Sequence, residues 1–126
     1  MIFGIGTDIV ENKRLKKWVE NPDMLKRFFA DEEIIDSTPA ENVLCQHYAV
    51  RFAAKEAFSK ALGTGILGFD LKDVYVVKNK EGKPSLVLKD KALELLQKRC
   101  GKADVFVSLS HEKEYATAFV VIEKVE

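Results

Sequence analysis

The 126-residue sequence predicts an α+β fold in which an antiparallel sheet packs on one long central helix. Three observations carry this. A helical pattern opens near Thr38 and runs to about Leu62, where Gly63 stops it. Two alternating runs, DVFVSLSH and YATAFVVIE, stand close together near the C-terminus. A hairpin signature, DVYVVKN and PSLVLK around Lys80-Glu81-Gly82-Lys83, lies between them and the helix.

Taken in chain order, IFGIGTDIV at 2–10 is too short for a stable helix and carries two glycines, so it reads as a buried strand interrupted by Asp8. ENKRLKKWV then turns helical, with Leu15 and Trp18 on one side and Lys and Arg between them. NPDMLKRFF continues with Leu25, Phe28 and Phe29 opposite Lys26 and Arg27. Both are short basic amphipathic helices. Thr38-Pro39-Ala40-Glu41 combines an N-cap, proline at the first helical position and a capping-box glutamate, which opens the central helix. After the hairpin, KALELLQKRC ending at Gly101 reads as a further helix. The total is about five strands and four helices without repeats.

The chain is 47% hydrophobic and 32% charged, which suits one globular domain spanning 1–126. Twenty Lys plus Arg balance twenty Asp plus Glu, so no global field favours nucleic acid, and a charged partner must be met by a local patch. Cys45 and Cys100 have neither CxxC nor Cys/His spacing, which argues against zinc and against a disulfide scaffold; both are expected as reduced buried thiols. No basic segment precedes the short apolar run at the N-terminus, and no stretch approaches the roughly 18 apolar residues of a membrane span. A cytoplasmic protein is expected.

Asp8 needs a partner, because an ionised carboxylate in an apolar strand is costly unless a cation or several donors satisfy it. On the central helix, Glu56 and Lys60 are four apart and share a face; an ordinary ion pair between them is the simplest reading of that spacing. Arg51 and Lys55 form a second such row, and the three cations with the following Gly63-Thr64-Gly65 make a surface suited to phosphates. Two carboxylates completed by phosphate oxygens and water would form the all-oxygen octahedral site that magnesium prefers. His111, where a strand gives way to a turn, has a ring able to donate either to a phosphate or to a backbone carbonyl. His47 reads as ordinary packing or surface, and no nucleophile is paired with either histidine.

Together, GIGTDIVE at 4–11, RFAAKEAFSKALGTG at 51–65 and SLSHEKEYATAFVVIE at 108–123 closely resemble holo-acyl-carrier-protein synthase, the short phosphopantetheinyl transferase of bacterial lipid synthesis. The resemblance implies transfer of 4′-phosphopantetheine from coenzyme A to a serine of apo acyl carrier protein, releasing adenosine 3′,5′-bisphosphate, in fatty acid biosynthesis. It implies Asp8 and Glu56 as magnesium ligands and Lys60 as the neutraliser of charge on the phosphoryl group under attack. Glu56 and a water on the metal both remain open as the acceptor of the serine proton. Arg51 and His111 are implied beside the 3′-phosphate, and Gly63, Thr64 and Gly65 beside the nucleotide. A homotrimer with active sites shared between subunits is implied too. Acyl carrier proteins are acidic, so Arg14, Lys17, Lys26 and Arg27 are expected to grip the carrier while an exposed Phe28 or Phe29 fills a contact between the charges. Asn12 and Glu112 depart from the family's usual residues. A magnesium-dependent nucleotide hydrolase would use the same carboxylates and lysine to position water instead, and a non-catalytic oligomer would leave them without a metal.

Overall fold

The computed structural model describes residues 1–36 and 39–125. Strand β1 spans Ile2–Glu11 and passes through a 3-10 turn, Asn12–Leu15, into the short helix α1, Lys16–Val19. Helix α2 is Pro22–Phe28, α3 is Glu41–Leu62, and the hairpin strands are β2, Val74–Lys78, and β3, Pro84–Leu88. Helix α4, Asp90–Cys100, precedes β4, Ala103–His111, and β5, Tyr115–Lys124.

The expected single sheet is two. Strands β1, β5 and β4 form an antiparallel sheet in the order β1-β5-β4, whereas β2 and β3 pair only with each other, β3 touching β4 without a ladder between them. Strand β1 pairs with β5 from Ile2 opposite Glu123 to Glu11 opposite Tyr115, so Asp8 faces Ala118 across the ladder.

The expectation of a buried β1 is overturned. Alternation sends Phe3, Ile5 and Ile9 to the outer face, where Ile5 and Ile9 are each 60% exposed. Gly4, Gly6, Asp8 and Val10 face α3 instead. A Cβ on Gly4 would stand 1.9 Å from the Ala61 carbonyl oxygen, and one on Gly6 would stand 2.0 Å from that of Ala57. The missing side chains therefore let strand and helix meet backbone to backbone.

Helix α3 is buried along Tyr48, Ala49, Ala53, Ala57, Phe58, Ala61 and Leu62. Its first turn begins at Glu41 with Ala40 as the N-cap, so Pro39 lies ahead of the helix and not at its first position, and Thr38 lies outside the described residues. Ala40 has no side-chain acceptor, and the cap carries no side-chain hydrogen bond. At the other end Gly63 adopts the left-handed conformation at φ 88°, where its lack of a Cβ removes the strain, and its N–H donates to the Ser59 carbonyl. Arg99 Nε from α4 donates to the Leu62 carbonyl, satisfying another terminal acceptor.

Lys55 does not join a phosphate-facing row. It is wholly buried, with Nζ 2.6 Å from Glu33 Oε1 and donating also to the carbonyls of Leu71 and Val74 at 3.1 and 2.6 Å. Glu33, 1% exposed, takes further bonds from the N–H groups of Ala30 and Val76. Every proton of the ammonium thus has an acceptor, the condition under which a buried charge pair is tolerated. Phe29 is also in the core, at 1% exposure, because the backbone turns extended after α2 and swings the ring against Tyr48. Cys45 and Cys100 are free and buried, as expected.

Candidate active site

The glycine notches on β1 bring the next inward residue, Asp8, up to the face of α3 that carries Glu56 and Lys60. Lys60 Nζ donates to Asp8 Oδ1 at 3.1 Å and to the Thr7 carbonyl at 3.0 Å. The i,i+4 pair with Glu56 is not formed; the lysine reaches across to the strand instead. Glu56 is half-buried, and burial first, then the Asp8 carboxylate, hold it above the ordinary carboxylate value, while Lys60 and Arg14 pull it back. Two carboxylates and two cations from β1, the turn after it and α3 therefore act on one another in a single corner.

This corner suits a hard cation. Among the described residues no group of three or more His, Cys, Asp and Glu side chains is placed to hold a metal unaided. Two carboxylates that repel one another match the way magnesium is held, by one or two protein carboxylates with phosphate oxygens and water completing the octahedron.

The remaining predicted residues do not all converge. Arg51 is half-buried and donates to the His47 carbonyl at 3.2 Å; burial pulls its guanidinium below the ordinary value, and Glu33 opposes that pull. Gly63, Thr64 and Gly65 close the C-terminal end of α3, with Thr64 Oγ1 donating to the Gly65 carbonyl. His111 is exposed at the far end of the sheet. The neighbouring Glu112 carbonyl accepts from Gln46 Nε2, and Gln46 lies seventeen residues from Gly63 on α3, about 25 Å along the axis. That span exceeds an adenosine 3′-phosphate, so Gly63–Gly65 and His111 of one chain do not touch the same nucleotide.

The two departures from the family pattern have structural roles. Asn12 Nδ2 donates to the carbonyls of Glu112 and Lys113, and Glu112 Oε1 accepts from the N–H groups of Glu114 and Tyr115, so both shape the β4–β5 turn.

Arg14, Lys17, Lys26 and Arg27 are all exposed and, among the described residues, form no ion pair, whereas Lys13 pairs with Glu11 and Lys16 approaches Glu41. A groove of about 410 Å³ runs between Lys13, Arg14, Lys16 and Lys17 with Trp18 and Phe52 in its wall. Phe28 is half-buried, its ring stacked on Trp18 at 5.0 Å, so it supports the groove's aromatic wall and is not a free projecting residue. Phe29, in the core, contributes no contact surface.

Sequence reasoning missed Glu33 and the burial of Lys55. A signal was present: Tyr48, Lys55, Ser59 and Leu62 follow one another at helical spacing, placing the lysine inside an apolar stripe.

Residues 4–120 match the family model of the 4′-phosphopantetheinyl transferase superfamily, and the chain belongs to that superfamily. Within it the similarity is to the holo-[acyl-carrier-protein] synthases. That of Treponema denticola is 48% identical over 123 residues, covering 98% of this chain and 99% of the relative; that of Pelagibacter ubique is 44% identical, covering 98% of each. Among solved structures, the Bacillus anthracis holo-(acyl-carrier-protein) synthase in complex with CoA (3′,5′-ADP) superposes with a TM-score of 0.81 at 36% identity over 99% of both chains. The Plasmodium yoelii holo-ACP-synthase reaches 0.87 at 28% identity over 100% of this chain and 98% of that one.

Proposed function

We propose that this chain, as a single transferase domain over residues 1–126, moves 4′-phosphopantetheine from coenzyme A to a serine of apo acyl carrier protein and releases adenosine 3′,5′-bisphosphate, acting in the cytoplasm in fatty acid biosynthesis. The observation that carries the proposal is the Asp8–Lys60–Glu56 corner on a chain of this family. Asp8 and Glu56 are the residues to hold Mg2+, which when bound supplies positive charge to the pyrophosphate oxygens. Lys60, held by the Thr7 carbonyl and Asp8, is the residue to neutralise the phosphoryl charge that spreads during in-line attack. Glu56, whose carboxylate burial and the neighbouring Asp8 make more basic than usual, is a candidate to take the serine proton. No described helix is long and apolar enough to cross a membrane, in keeping with both substrates being soluble.

The separation of Gly63–Gly65 from His111 supports a site completed by a second subunit, in which the nucleotide lies beside Gly63, Thr64 and Gly65 of one chain and its 3′-phosphate meets Arg51 and His111 across an interface. The outer face of the three-stranded sheet supplies a surface for a trimer: Ile5, Ile9, Phe106 and Phe119 are exposed on it at 60, 60, 54 and 45%. The carrier docks on Arg14, Lys17, Lys26 and Arg27, with the Trp18–Phe28 stack beneath.

Incubating apo carrier protein with the enzyme, coenzyme A and Mg2+ and weighing the intact carrier by mass spectrometry tests this. One added phosphopantetheine, lost when EDTA is present, is expected. Hydrolysis of coenzyme A with an unchanged carrier mass would replace the transferase with a hydrolase.

A further inference from the structure

Helix α3 is gripped on two sides. On one, Gly6 and Gly4 of β1 receive the backbone at Ala57 and Ala61. These positions lie about 200° and 240° around the helix from Lys55 at 100° per residue, so the Glu33–Lys55 pair grips nearly the opposite side. Glu56 stands about 100° from Lys55, between the two grips.

The grips differ in kind. A notch of backbone against backbone limits how close strand and helix come, but it has no interlocking side chain to stop the helix rolling about its axis. The charged pin does. Residues 47, 51 and 55 form one stripe on α3, and all three address Glu33: His47 Nε2 donates to its carbonyl at 2.7 Å, Arg51 lies within its electrostatic reach, and Lys55 bonds its carboxylate. The three ammonium bonds of Lys55 join α3 to the segment at Glu33, to Leu71 and to Val74 at the start of β2.

We propose that the buried Glu33–Lys55 pair positions the catalytic face, fixing the rotation of α3 that presents Glu56 and Lys60 to Asp8. The proposal rests on the transferase reading of that corner. A roll of about 10° moves a carboxylate about 6 Å from the axis by about 1 Å. Misplacement of that size costs about 100-fold in rate.

A double-mutant cycle separates this role from plain stabilisation. Glu33→Gln and Lys55→Met each leave a buried partner unmatched and should lower both Tm and kcat. The double variant removes the unmatched charge, so Tm should recover toward the parent. Its kcat should stay at least about 10-fold low, with Mg2+ binding in the presence of coenzyme A, read by calorimetry, weakened about as much, and KM for the carrier unchanged. Glu33→Asp keeps both charges but pulls Lys55 toward a shorter side chain, and it too should lose turnover before it loses Tm. Either variant returning the parent's kcat and Mg2+ affinity at the parent's Tm would reduce the pair to a stabilising contact and overturn the proposal. Failure of the parent itself to load the carrier would instead overturn the transferase reading beneath it.

Discussion

Replacing Gly6 with alanine should damage chemistry more than its single methyl suggests. The added Cβ would stand 2.0 Å from the Ala57 carbonyl oxygen and 2.7 Å from the Ala61 nitrogen, both backbone atoms of a rigid helix. No flexible side chain can move aside. Raising the shorter contact to the 3.0 Å that real Cβ atoms respect demands about 1 Å of separation between β1 and α3. Asp8, two residues further along the same face of β1, moves with its strand, while Glu56 and Lys60 stay with the helix. Overpacking of this kind costs about 1–3 kcal/mol of stability, and 1 Å at the reacting centre costs about 100-fold in rate. Urea denaturation measures the first, and steady-state loading of apo carrier, assayed where the variant is fully folded, measures the second. Parent-like kcat in a folded Gly6→Ala would refute the idea that the glycine notch sets the distance between Asp8 and α3. A loss of stability with intact turnover would show that the site tolerates the displacement.

On the proposed role of Lys60 in neutralising phosphoryl charge, Lys60→Met should lower kcat by about 100-fold and raise KM for coenzyme A much less; steady-state kinetics in both substrates reads the split. Lys17→Glu should raise KM for the carrier several-fold and leave that for coenzyme A unchanged, and added salt should weaken the parent in the same selective way. Lys17 is the cleaner probe because Arg14 also acts on Glu56. His47 gives a pH signature. Burial, reinforced by Arg51, pushes its pKa down from 6.5 to about 4, so between these values the unfolded chain binds a proton that the folded chain does not, and stability falls as pH falls through that window. The full shift corresponds to about 3 kcal/mol, discounted to about 1–2 because the ring is partly exposed. Urea midpoints between pH 7.5 and 4.5 should show the fall in the parent and a shallower one in His47→Gln.

Elements whose signals are local were legible in the sequence. The hairpin, α4, β4 and β5 announce themselves through turn residues and alternation, and Gly63 marks the end of α3 because a left-handed C-cap favours glycine. The start of α3 was misplaced because Thr38-Pro39-Ala40-Glu41 satisfies the capping pattern, whereas the helix begins only at Glu41. Asp8, Glu56 and Lys60 could be named from their motifs, but the bond from Lys60 to Asp8 spans 52 residues of chain and no spacing rule reaches that far. For the same reason Gly4 and Gly6 read as breaks in a strand until the helix carbonyls that need their emptiness are in view. Lys55 shows a different limit. Its charge suggested the surface, and only the carboxylate of Glu33, 22 positions earlier, explains its burial.

The pairing of the first strand with the last also has a cost in time. Asp8 meets Ala118 across the β1–β5 ladder, so the strand that carries Asp8 has no ladder partner until 110 further residues have been made. At about 5–20 residues per second, the interval is roughly 5 to 20 s. Throughout it, β1 keeps both edges and its row of outward isoleucines open to other chains. The first strand therefore gains its ladder only near the end of synthesis, and a chain stalled before β5 carries Glu56 and Lys60 with β1 still unpaired.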